Sequence, residues 1–212
     1  MKRLLAAATL VVATGFGATA LGTTPVSAAE GGAIPEHDFS FQGIFGTFDR
    51  PAAQRGLKVY NQVCANCHGM QFVAFRTLTD LGFSEDEVDA IAAQYQVEDG
   101  PNNQGEMYMR DAEASDTFPS PFANEAAAKA ANGGALPVDL SVITKARPKG
   151  PEYLYALLTG YGDAPADADL APGTYWNEVY PGHAIKMPPP LMEGIVDYED
   201  GTEASVSQMA HD

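Results

Sequence analysis

The chain has 212 residues, long enough for one good core or for one domain with sizeable insertions. Its 28 acidic residues face 12 basic ones, a formal net charge of −16 at pH 7. A surface of that sign repels nucleic acid, which excludes that class of partner, and attracts a basic protein.

The opening segment reads as an export signal. Met1-Lys2-Arg3 is a short basic start, Leu4 to about Leu21 is apolar and small, and Val26-Ser27-Ala28 fits a small-x-small cleavage pattern. Its Ala, Gly and Thr content is weakly hydrophobic for a permanent span. Residues 1–28 are therefore assigned to a cleavable secretory signal peptide and 29–212 to the exported domain. Lys2 and Arg3 fall within the signal, so the exported part carries 28 acidic residues against 10 basic ones, a net −18. The acids cluster at Glu85, Asp86, Glu87 and Asp89, at Asp163, Asp167 and Asp169, and at Glu193, Asp197, Glu199, Asp200 and Glu203. At least half of these are solvated faces that keep a secreted protein soluble. The remainder would steer a cationic redox partner.

Glu30 to Phe48, with Phe39, Phe41, Phe45 and Phe48, reads as an irregular arm packed onto the domain. Asp49 followed by Arg50 and Pro51 marks a helix start, a carboxylate cap with proline in the first turn. Leu57, Tyr60, Val63 and Cys64 share one apolar stripe, so this helix runs into Cys64-Ala65-Asn66-Cys67-His68. That stretch has the C-x-x-C-H spacing of a covalent c-type haem site. Two thiols on a tight turn can each bond one vinyl group of a single porphyrin, and the adjacent imidazole is then held under the iron. Cys64 and Cys67 are the only cysteines, so no disulfide or Cys-rich zinc site competes for them. C-x-x-C alone would also suit a thioredoxin-like redox pair or half a zinc site, but neither a βαβ context nor a second half-site accompanies it. Export agrees with the motif, because bacteria attach haem c on the periplasmic side.

Beyond the motif, Phe72-Val73-Ala74-Phe75-Arg76 is apolar and expected against the porphyrin. Ser84-Glu85-Asp86-Glu87 is a capping box that opens a helix through about Tyr95. Glu98 to Ala123, with Asp-Gly-Pro-Asn-Asn, reads as a long insertion loop. Asn124 caps an Ala-rich helix through about Ala131, ended by Gly133-Gly134. Pro151 opens another helix, Glu152 to Leu158, closed by Gly160. Asp163 to Val179 is a second irregular stretch, and no strand pairs are expected. The fold class is mainly α, one haem domain with long irregular insertion loops.

His68 leaves one axial position of the iron to be filled or left open. The candidates are Met70, Met107, Met109, Met187, Met192, Met209, His37, His183 and His211. Met70 is too close in sequence to His68 to reach round the ring. Met187 precedes Pro188-Pro189-Pro190, a stiff strut without hydrogen-bond donors that can hold a thioether in place. Met/His ligation also raises the potential relative to His/His. Met109 is the next choice, and His183 would give a bis-His iron.

From about Phe39 to its end the chain resembles the cytochrome c1 family, closest to its bacterial members. The resemblance is carried by Gln54-Arg55-Gly56 with Val63-Cys64-x-x-Cys67-His68, by Val73-Ala74-Phe75-Arg76, and by Asp99-Gly100-Pro101-Asn102 with Gly105-Glu106-Met107. Ala130 to Pro137, Leu157-Leu158-Thr159-Gly160-Tyr161, Pro181 to Ile185 with Met187, and Tyr198 to Thr202 extend it. It implies a cytochrome c-like domain in which Cys64 and Cys67 hold one covalent haem c, His68 and Met187 ligate its iron, and Arg110 pairs with a propionate. It further implies a place in the cytochrome bc1 complex beside cytochrome b, on the periplasmic face of the bacterial inner membrane. Electrons would arrive from the Rieske iron–sulfur protein and leave to a soluble basic c-type cytochrome. The chain departs from the family at Lys186, usually small and neutral, and at Asp111-Ala112, usually Pro-Gly. Ser205-Val206-Ser207-Gln208 opens a helix that relatives continue into a membrane span, whereas this chain stops at Asp212. A truncated form whose missing C-terminal end carries the anchor is expected. A free periplasmic carrier, and a ligand-binding or peroxidatic haem protein with an open sixth position, are the alternatives.

Overall fold

The computed structural model describes residues 31–212, so the expected signal peptide over 1–28 lies outside the described residues. Helix α1 (Arg50–Gln62) starts where the sequence places it: Asp49 is extended and its side chain accepts from the Ala52 N–H at 3.1 Å, with proline in the first turn. A 3-10 turn, Cys64–Asn66, follows directly. A longer 3-10 helix, Phe75–Leu81, ends at Gly82 with φ +97°, a left-handed conformation that glycine adopts without steric cost. Helix α2 (Glu85–Ala92) begins with the reciprocal capping box of Ser84 and Glu87. Helix α3 (Glu125–Ala131) is capped by Asn124, and α5 (Gly150–Thr159) ends at Gly160. Short α4 (Ile143–Ala146) lies between them, and α6 (Val206–His211), capped by Ser205, follows near the end. Among the described residues no helix is long and apolar enough to cross a membrane.

The expected absence of strand pairs is wrong. Leading into and within the stretch read as an insertion loop, β1 (Gln96–Asp99) and β2 (Tyr108–Asp111) form an antiparallel hairpin with Val97 opposite Arg110 and Asp99 opposite Tyr108. Asn102 closes its turn, accepting from the N–H groups of Gln104 and Glu106 at 2.9 and 3.0 Å. The half-buried strand positions are Val97, Asp99 and Arg110, so a charge pair replaces the alternating apolar residues that would have signalled a strand. A second, two-residue pairing joins β3 (Tyr175–Trp176) to β4 (Ala184–Ile185), elements too short for any periodicity to show.

Three apolar clusters are built on α1 and α5. The first holds Leu57 and Tyr60 of α1 with Phe75, Leu78, Val88, Ala92 and Phe118. Phe75 and Phe118 are fully buried, their ring centroids 4.3 Å apart, so Phe75 serves the protein's own core while Phe72 is exposed. The second gathers Val59 with Leu191, Val196, Tyr198 and Met209, and the third joins α5 to Val179 and Ile185. The aromatic arm packs through Ile34 against the third cluster, through His37, which stacks on Tyr155 at 3.6 Å and bonds His211, and through Phe39, which stacks on His211. Its tip residues Ile44, Phe45 and Phe48 are exposed.

Helices α1 and α6 meet at Gly56, where an added Cβ would lie 2.2 Å from the carbonyl oxygen of Asp212. Arg55 fixes the same contact by forking onto the Asp212 carboxylate at 2.8 and 2.9 Å. Gly56→Ala should therefore cost about 1–3 kcal/mol in a denaturant titration, because backbone must move. Gly162→Ala, with open space around the site, should stay within about 0.5 kcal/mol of the parent.

Candidate haem-attachment site

The 3-10 turn closes on itself: the N–H groups of Cys67 and His68 both donate to the Cys64 carbonyl, at 3.0 and 2.9 Å. Both cysteines are free thiols and half-buried. Cys64 packs against the first and second clusters at once, and burial, with Cys67 beside it, pushes its thiol pKa up to about 11. A thiol that stays protonated at neutral pH is the opposite of the acidified cysteine that a C-x-x-C redox pair requires. The burial of Cys64 thus disfavours thiol–disulfide exchange.

His68 is gripped by a segment far away in sequence. Its Nδ1 lies 2.7 Å from the carbonyl oxygen of Val138, which can only accept, so Nδ1 is the donor and Nε2 is the nitrogen left to bind a metal. The next residues are zipped to the same segment. Leu140 N–H donates to the Gly69 carbonyl at 2.8 Å, Gln71 N–H to Asp139 Oδ2 at 3.0 Å, and Phe72 N–H to Ser141 Oγ at 3.0 Å. From the other side Tyr60 Oη donates to the His68 carbonyl at 3.1 Å. Burial alone would raise the Asp139 carboxyl, but the donors from Gln71 and Ser141, with His68 nearby, hold it below the usual carboxylate range. Residues 138–141 are the part of the site that sequence reasoning missed. Pro137, placed just before Val138, was the signal of a rigid extended entry.

Met187 follows β4 and is half-buried against the third cluster, its carbonyl accepting from Tyr161 Oη at 3.0 Å. Four residues on, Leu191 shares the second cluster with Cys64, so the two ends of the expected site converge on common packing. Lys186 donates to the Gly133 carbonyl at 3.3 Å and ties this strand to the turn after α3. Of the other axial candidates, Met209 is buried in the core, and Met107, Met109 and Met192 are exposed. His183 stacks on Trp176 at 4.6 Å with Nδ1 on the Asn177 carbonyl at 3.0 Å, while His37 and His211 bond each other at 2.8 Å. Large apolar side chains stand exposed beside both segments, Leu136, Val138 and Val142 near the grip on His68 and Met192 and Ile195 beyond the proline run. An apolar cofactor seated there would cover such surface.

Arg110 sits between two carboxylates, with Nη1 and Nη2 on Asp116 at 2.6 and 3.1 Å and Nε on Asp99. Nη1 also donates to the Asp111 carbonyl, so four of its five N–H groups are engaged inside the chain. Its side-chain bonds hold both Asp99 and Asp116 below the usual carboxylate range. Carboxylates held low in the fold add stability above their ordinary pKa of 3.8, and that stability fades as pH falls below it. Arg110→Gln should therefore flatten the acid limb of the stability curve below about pH 4, read from denaturant midpoints at a series of pH values. An acid limb as steep as the parent's would show that Arg110 does not hold these groups.

The Cytochrome C1 family model matches residues 39–212. The chain is similar to cytochrome c1 of Rhodospirillum rubrum, 45% identical over 229 residues that cover 100% of this chain and 81% of that protein. It is 49% identical over 178 residues to cytochrome c1-2, heme protein, mitochondrial, of Solanum tuberosum, covering 84% of this chain and 68% of the relative. Against the protein named cytochrome b/c1 of Bradyrhizobium diazoefficiens it is 47% identical over 200 residues, 84% of this chain and 29% of that one.

Proposed function

This chain belongs to the cytochrome c1 family, and we propose that it binds one covalent haem c and passes single electrons through it within the cytochrome bc1 complex. The observation that carries this reading is the orientation of His68: the Val138 carbonyl holds Nδ1 and leaves Nε2 as the nitrogen that can meet a metal, next to two free cysteines on one turn. When bound, the haem would supply one iron-centred redox couple, and no bond-making chemistry is asked of the protein.

The chain's own residues would hold that group as follows. Cys64 and Cys67 would each add an S–H across one vinyl group, a step needing no oxidant. His68 would offer Nε2 to the iron while the Val138 carbonyl keeps the ring's other nitrogen protonated. Met187 would offer its thioether, carried by a strand that β3, Tyr161 and the proline run hold still. Rigid ligands suit electron transfer, because coordination then changes little between the two charge states. Arg110 would meet a propionate through the Nη2 N–H that Asp99, Asp111 and Asp116 leave over.

We place the domain on the periplasmic face of the bacterial inner membrane beside cytochrome b, reduced by the Rieske iron–sulfur protein and oxidised by a soluble basic c-type cytochrome. The charge supports that last step. Among the acidic residues singled out in the sequence, Asp200 and Glu199 pair with Arg55 and Lys58, and Glu87 and Glu193 accept backbone N–H groups. Glu85, Asp86, Asp89, Asp163, Asp167, Asp169, Asp197 and Glu203 are exposed and take no such part among the described contacts. They would steer a cationic partner, an attraction that salt screens.

Met187→Ala tests the ligand set. The ferric wild type should show the red-region sulfur-to-iron charge-transfer band, and the variant should lose it while keeping its covalent haem. A band that survives the substitution would remove Met187 from the iron.

A further inference from the structure

A methionine is a weak, flexible ligand, so what fixes its main chain decides how firmly its sulfur is held. Downstream of Met187, Pro188-Pro189-Pro190 can donate no backbone hydrogen bond. The Met187 carbonyl is instead fixed from Tyr161, whose hydroxyl reaches it at 3.0 Å across 26 residues of chain. Tyr161 lies two residues past the end of α5 and forms an isolated antiparallel bridge with Asn177.

Asn177 is fully buried, an unusual place for a polar side chain. Its Nδ2 donates to the Leu157 carbonyl at 2.8 Å, and its Oδ1 accepts from the N–H groups of Val179 and Tyr180, both at 3.1 Å. Its backbone N–H donates to the His183 carbonyl at 2.9 Å, and its own carbonyl accepts from His183 Nδ1 at 3.0 Å. The side chain therefore bolts residues 177–180 to the last turn of α5, and the main chain bolts them to the turn that enters β4. An apolar residue of similar volume would leave the Leu157 carbonyl and the N–H groups of Val179 and Tyr180 without these partners. What the amide adds is a fixed position, since a fully satisfied buried network admits one geometry.

We infer that Tyr161 and Asn177 are positioning residues for the axial sulfur: together they anchor the Met187 main chain to α5, so that the protein, and not the bond to iron alone, holds the methionine in place. This rests on the reading of Met187 as sixth ligand. Neither residue touches the iron in this account; each acts through the backbone of the strand.

The test uses the full chain with its haem attached, in the ferric state, titrated with imidazole, which competes for the sixth position. Loss of the sulfur-to-iron band gives the apparent affinity. Tyr161→Phe removes one hydroxyl and should tighten imidazole binding by about 2- to 10-fold, the range of one net hydrogen bond. Asn177→Asp keeps shape and acceptor but loses the donor to Leu157, and should move affinity the same way. Tyr155→Phe removes a hydroxyl on the same helix that bonds Ser207, and should leave imidazole affinity at the parent value. If Asn177→Asp does not fold, Tyr161→Phe decides alone. Parent-like imidazole affinity in a folded Tyr161→Phe protein would overturn the inference while leaving Met187 as ligand. A band absent from the parent, or surviving in Met187→Ala, would overturn the ligand reading and this inference with it.

Discussion

One hydrogen bond orders the site: His68 Nδ1 to the Val138 carbonyl, across 70 residues of chain. A carbonyl has no proton to give, so this contact alone decides which imidazole nitrogen is free to act as a donor to metal. Everything around it serves to make that contact unavoidable. Leu140, Asp139 and Ser141 pin the residues after His68, and Tyr60 pins its carbonyl from the last turn of α1. The first core cluster then holds Tyr60 in turn, through the edge-on packing of its ring on Phe118. Packing in the interior is thus converted, through a few directed hydrogen bonds, into the orientation of one ring.

The same division of labour recurs at the other end of the site. The second cluster brings Leu191 to Cys64, and the third brings α5 to β4 and to Met187 just after it. Apolar packing sets which segments meet, and polar contacts set their register. The chain's acidity is spent in two ways: a minority of carboxylates tie helices and caps together, and the exposed majority give the surface its sign. Moving an electron asks for rigid ligands and a well-signed surface.

Much of this was legible in the sequence because it rests on local rules. Asp49, Ser84, Asn124 and Ser205 each cap the helix that the residue order announces. C-x-x-C-H named the turn, and the prolines after Met187 named a stiff extended segment, at whose head Tyr161 fixes the Met187 carbonyl. What stayed hidden is non-local or too short to be periodic. The β1–β2 hairpin escaped because Arg110 and Asp99 fill its inner face with a charge pair. The Val138–Ser141 grip escaped because its contacts span 68 to 70 residues of chain, and the one on His68 is a main-chain carbonyl, which any residue supplies. Asn177 escaped because a lone asparagine in an irregular stretch looks like a turn former until its burial is known.

The account stands on a porphyrin bonded through Cys64 and Cys67. The chain, produced with its haem-maturation machinery and digested under denaturing conditions, should release one peptide spanning Cys64 to His68 whose mass is raised by a single haem and whose two sulfurs resist alkylation. A peptide of bare mass with two alkylatable thiols would contradict it.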